Sequence, residues 1–97
     1  MQSSTGVFST PHGSKYIQQL SKHFLNKAQV SYDLHSARVL FETGRAEAEA
    51  TPHELRVRVY GEDEIVINSV RKIIESHLVR FAFRENFTGL RWDPVSD

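Results

Sequence analysis

Cysteine is absent from the 97 residues. Disulfide frameworks, thiolate zinc sites and cysteine nucleophiles are therefore excluded. No apolar run approaches the ~20 residues that cross a bilayer as a helix. The opening MQSSTGVFSTPHG lacks the cationic start and apolar stretch of a secretory signal. A soluble cytoplasmic protein with no membrane association is the expectation. Net charge is missing too, since twelve Lys and Arg balance twelve Asp and Glu. No global field then draws the chain to nucleic acid, and no nucleic-acid partner is expected. The signatures G-x-S-x-G, H-E-x-x-H and the Rossmann glycine fingerprint do not occur. Spacing alone therefore names no enzyme class, no cofactor and no metal.

What is present is an ordinary globular balance, in a length that suits one domain across residues 1–97. Such a chain buries somewhat over ~60% of its unfolded surface, enough for one sheet under one layer of helices. Residues 1–4 are polar and expected to fray. TGVFST (5–10) reads as a strand, and Pro11 suits the first turn of a helix. From Lys15 to Lys27 the apolar positions Tyr16, Ile17, Leu20, Phe24 and Ala28 draw one helical stripe.

Four strands are expected next: 30–34, 38–43, 45–51 and 54–60, with His35-Ser36-Ala37 as a hairpin connection. The stretch AEAEA has helix-favouring residues but alternates strictly, and the alternation argues for a strand. Alternation also assigns faces. Tyr32, Leu34, Val39, Phe41, Ala46, Ala48, Ala50, Leu55, Val57 and Val59 share one side. Asp33, Arg38, Glu42, Arg45, Glu47, Glu49, Arg56 and Arg58 share the other, where opposite charges can form a ladder. The three alanines thin the apolar side, so a helix can come close there.

Residues 61–85 form the clearest helix, with Glu62, Asp63 and Glu64 at its positive end and Arg80 and Arg84 near its negative end. Val66, Val70, Ile73, Ile74, His77, Leu78 and Phe81 give its apolar stripe. TGLRWD (88–93) is a last strand. The order β-α-β-β-β-β-α-β predicts an α+β fold of two layers, a mainly antiparallel sheet with both helices on one face.

The segments PHGSKYIQQLSKHF and IIESHLVRFAFRE, with a terminal tryptophan strand, resemble an uncharacterised bacterial family, domain of unknown function 2218. The resemblance runs from about Thr5 to Asp93. Its most specific parts are Lys22-His23-Phe24 and the run from His77 to Arg84. Members often carry cysteine just before the Lys-His pair, where this chain has Ser21, so a thiol role there does not carry over. The family has no established activity to transfer. Some members are joined to flavin-containing siderophore-interacting reductases. The resemblance thus implies an accessory domain in siderophore-iron reduction and iron acquisition, with such a reductase as partner.

Three local candidates stand beside that implication. His23 and His77 lie at or beside apolar helix stripes, and side-by-side helices would bring the imidazoles to a shared space. With Lys22 and Arg80 nearby, this is the candidate ligand site of a small-ligand-binding protein or enzyme. The competing reading is two partly buried histidines, each bonded to a backbone carbonyl or to a carboxylate such as Glu75 or Glu85. A metal is not expected, because two imidazoles fall short of the usual three or four ligands. The segment His12-Gly13-Ser14-Lys15 offers free N–H groups, a hydroxyl and a lysine to an anion. The plainer alternative is a helix start capped by Ser14 or Thr10. In RFAFRENF, Phe81 and Phe83 cannot both face the core of one helix, so one is expected near the surface beside Arg80 and Arg84. Charge is unevenly spread: no acid precedes Asp33, and residues 42–64 hold seven acids against three arginines.

Overall fold

The computed structural model describes residues 1–97. Its elements are β1 (Gln2–Ser9), α1 (Gly13–Phe24), β2 (Gln29–Tyr32), β3 (Ser36–Leu40), β4 (Gly44–Ala50), β5 (Glu54–Gly61), α2 (Glu64–Phe81) and β6 (Arg91–Trp92). A single 3-10 turn, Phe83–Glu85, follows α2. The sheet runs β2-β3-β4-β5-β1-β6 with every pairing antiparallel. Two helices pack on one face of this open sheet, so the α+β architecture holds. AEAEA is a strand, with Ala46 opposite Val59 and Ala48 opposite Val57.

The inner face of β3 to β5 supplies Val39, Ala46, Ala48, Leu55, Val57 and Val59 to the core. The small alanines let α1 sit low on the sheet. A Cβ built on Gly13 would stand 2.9 Å from that of Ala50. Above the alanines Ile17, Leu20 and Phe24 are buried, and Ile67, Val70, Ile74 and Leu78 fill the α2 side. Ile67, outside the expected α2 stripe, is fully buried, while Val66 is only half-buried, so the stripe that reaches the sheet starts one residue later.

Several boundaries differ from expectation, each for a physical reason. Residues 2–4 are not frayed. They begin β1, and Ser3 and Ser4 are buried, because the chain's far end returns to cover them. Ser3 and Ser96 exchange two backbone hydrogen bonds, of 2.7 and 2.9 Å. Asp93 accepts from the Thr5 N–H at 2.7 Å and the Ser4 hydroxyl at 3.0 Å. The first hairpin turns at Asp33-Leu34-His35 rather than at His35-Ser36-Ala37. Asp33 Oδ1 accepts from the His35 and Ser36 N–H groups at 2.8 Å, the side-chain-to-backbone pattern that drives such turns. Leu34 is therefore exposed in the turn, and Tyr32, although on the inner face of the edge strand, is exposed as well.

Helix α2 starts at Glu64 because Asp63 is its N-cap, accepting the Val66 N–H at 3.0 Å. β6 keeps only two residues and packs its indole over Gly6, where a Cβ would meet the Trp92 ring at 2.8 Å. On the open face Arg38, Glu47, Arg58 and Thr5 stand in one cross-strand row. The expected charge ladder forms in part: Glu47 meets Arg38 at 3.2 Å and Arg45 at 3.7 Å, while Arg56 turns to Glu54 at 2.9 Å rather than to its partner Glu49.

Candidate functional site

The two helices run in opposite directions across the sheet. Tyr16, in the first turns of α1, donates its hydroxyl to Glu85 beyond the end of α2, while His23 near the end of α1 faces His77. The imidazole centroids are 4.4 Å apart, with planes tilted by 58°. Around them lie Phe24, 4.8 Å from the His77 ring, and Phe81, 6.3 Å from the His23 ring. Phe41 from the end of the third strand packs on Phe24 at 5.4 Å. Both histidines are half-buried, so the pair sits in a seam that solvent reaches.

His77 Nδ1 lies 2.7 Å from the Ile73 carbonyl oxygen. A carbonyl can only accept, so the proton is on Nδ1 and the neutral ring keeps a lone pair on Nε2. His23 is held below its ordinary value of 6.5, first by loss of water around the ring, then by His77, Lys27 and Arg80. A second positive charge beside its neighbours is disfavoured, and the neutral ring prevails near neutrality. The seam thus favours an uncharged His23 ring, with Lys27 and Arg80 close enough to act on it. No group of three or more His, Asp or Glu side chains gathers anywhere in a metal-holding arrangement.

The expected carboxylate partners of the histidines are occupied elsewhere. Glu75 Oε2 accepts the Leu90 N–H at 2.7 Å and the Trp92 indole N–H at 2.9 Å, tying β6 to α2. Glu85 accepts from the Thr10 hydroxyl at 2.8 Å and from Tyr16. Burial, followed by that bond and the charge of Glu85, pushes the Tyr16 phenol up to about 12. Sequence offers Thr10 as a helix cap and Glu85 as a histidine partner, but nothing in it joins them to Tyr16. Tyr16 reads as a core residue of the helical stripe, and nothing local announces a partner 69 positions away. The cluster is saturated with hydrogen bonds and acts as a clasp between the start of α1 and the end of α2.

The segment His12-Gly13-Ser14-Lys15 opens α1 and is partly engaged by the protein itself. His12 is the N-cap without a side-chain bond, its N–H donating at 3.0 Å to Thr10 Oγ1. Gly13 is pressed against Ala50 and the Glu54 carbonyl, and the Ser14 hydroxyl donates to the Leu34 carbonyl. Neither Ser14 nor Thr10 caps the helix in the expected way. Lys15 instead shares an open depression of about 390 Å³ with Ser14, Gln18, Gln19 and Lys22. Of the two phenylalanines, Phe81 is half-buried in the seam and Phe83 is 63% exposed.

The family described as an uncharacterized protein conserved in bacteria (DUF2218) matches residues 5–93. The chain belongs to this family. Its structure is similar to that of PA4090 from Pseudomonas aeruginosa, solved by NMR, with 25% identity, 97% of each chain covered and a TM-score of 0.80. No curated protein matches the chain. Within the DUF2218 match fall all the residues of the seam, both histidines and the cations that flank them.

Proposed function

We propose that this DUF2218 chain is a binding module whose site is the α1–α2 seam, taking a small anionic ligand with a flat or metal-chelating portion. The observation that carries the reading is the imidazole pair, 4.4 Å between centroids, solvent-reached and bordered by aromatic rings. Aromatic walls favour a flat ligand by stacking. Lys27 and Arg80, whose charges reach His23, favour an anionic one. The free Nε2 of His77 can accept a hydrogen bond or complete the coordination of a metal the ligand itself carries. Lys22 and Arg80 are the cations assigned to such a ligand, and the loss of a thiol at Ser21 does not affect the scheme.

The resemblance's association with siderophore-interacting flavin reductases makes ferric siderophores the first probes. It also makes an accessory role in iron acquisition, in contact with such a reductase, the cellular setting we propose. The test is a thermal-shift and titration panel of ferric siderophores, haem, phosphates and nucleotides on wild type, His23→Ala and His77→Gln. Stabilisation by one probe, lost in both variants, supports the reading. A silent panel on folded wild type overturns it. Fe or Zn alone is expected to leave the melting temperature unchanged, because two imidazoles are too few; a clear rise abolished by His23→Ala would make this a metal site instead.

A further inference from the structure

We propose that the solvent side of the helical layer is the docking surface for an acidic, amphipathic segment of a partner protein. Six cations lie on the two helices and just past their ends: Lys15, Lys22, Lys27, Lys72, Arg80 and Arg84, all exposed. None is in an ion pair, since the three pairs of the molecule all sit on the opposite, open face of the sheet. Of the carboxylates on and beside α2, Glu62, Asp63 and Glu64 are exposed at its start, while Glu75 and Glu85, toward its other end, are turned inward. Glu75 is held by Leu90 and Trp92, and Glu85 by Thr10 and Tyr16. A chain with no net charge has thus left positive charge uncompensated along α1, which holds no acid, and around the end of α2. The complement of such a surface is acidic.

Apolar exposure on the same side selects a protein. On α2 the solvent stripe runs Lys72, Ser76, Val79 and Arg80, with Phe83 in the turn beyond. Val79 is 45% and Phe83 63% exposed, both among the cations, and the Arg84 guanidinium lies 5.6 Å from the Phe83 ring centroid. An exposed aromatic with flanking arginines is the usual anchor of a protein interface. Two antiparallel helices also leave a groove between them, here floored by half-buried Phe81 and the imidazoles. A helix with an apolar stripe fits such a groove, and acidic flanks meet the cationic rims. A flat bilayer surface would meet the rims and leave the floor empty.

This inference shares the imidazoles, Lys22 and Arg80 with the small-ligand reading, but Lys15, Lys72, Phe83 and Arg84 are outside that site and carry its test. The probe is a fluorescein-labelled synthetic helix with Leu and Phe along one face and Glu along its flanks, followed by anisotropy. Binding is expected to weaken as salt rises and to fall about tenfold or more in Lys15→Glu, in Lys72→Glu/Arg84→Glu and in Phe83→Ser. Exposed charge reversals should leave the circular dichroism spectrum unchanged, and Lys72→Glu/Arg84→Glu, outside the seam, separates loss of docking from loss of the seam ligand. Three results would overturn the proposal. One is equal binding of a scrambled peptide of the same composition. Another is capture by phosphatidylglycerol vesicles with no peptide binding, which makes the surface a membrane contact. The last is dimerisation abolished by the same reversals, which gives the surface to a second copy of this chain.

Discussion

At the scale of single residues, Ser21 is the clearest anomaly. Its side chain is fully buried, its hydroxyl has no hydrogen-bond partner, and it faces a void of about 10 Å³. The other nine lining residues are hydrophobic, so a water there would find too few polar partners. An orphaned buried hydroxyl costs roughly 1–3 kcal/mol. Ser21→Ala is therefore expected to raise stability by about 1 kcal/mol once the slightly larger void is offset, seen as a higher urea midpoint; a lower midpoint would show that the hydroxyl is satisfied. His23 and Tyr16 make opposite pH predictions. With its folded value below 6.5, His23 contributes stability that is complete above 6.5 and is lost as pH falls through the folded value. His23→Gln should flatten that limb in denaturant melts repeated on either side of 6.5. Tyr16 ionises at 10.0 in the unfolded chain and near 12 when folded, so stability should decline as pH rises between those values. Tyr16→Phe should remove that decline.

Among elements, the strand most dependent on a single side chain is β6. Its Trp92 and the Leu90 just before it are held to the helix above by one carboxylate oxygen of Glu75. Glu75→Ala is expected to free this edge, shift the fluorescence of the single tryptophan toward longer wavelength and speed amide exchange in residues 90–92. An unshifted spectrum would assign the hold to Arg71, whose guanidinium lies 5.0 Å from the Trp92 ring. Element types were legible wherever a period of two or 3.6 ran for several residues, as in AEAEA and in residues 16–24. Ends were less so, because they depend on partners distant in sequence. Ser3 and Ser4 look frayed until Asp93 and Ser96 arrive beside them. Asp33 looks like a strand residue until its carboxylate is seen holding the turn. The histidine pair was legible because both residues border apolar stripes of helices that must share one sheet face. The clasp of Thr10, Tyr16 and Glu85 was not, since no pattern links a core tyrosine to a glutamate past the second helix.

For the molecule as a whole, the acids and bases are sorted by position rather than by number. Acids are spent on the fold: Asp33 on a turn, Asp63 on a cap, Glu75, Glu85 and Asp93 on joining distant segments. Hydrogen bonds from backbone N–H groups hold Asp33 and Asp93 below the ordinary 3.8, with His35 and Ser36 acting on the first and Thr5 on the second. Both then contribute stability that is present above 3.8 and lost as pH falls through their folded values. Acid unfolding monitored by circular dichroism should therefore begin near that value, and Asp93→Asn should shift the midpoint upward in pH. The joining of first and last strands has a further consequence. With Ser3 and Ser96 exchanging backbone hydrogen bonds, residues 1 and 97 are a few residues' reach apart. A circular permutant closed there by a short linker and opened between Glu42 and Thr43, both exposed, should reach the same architecture.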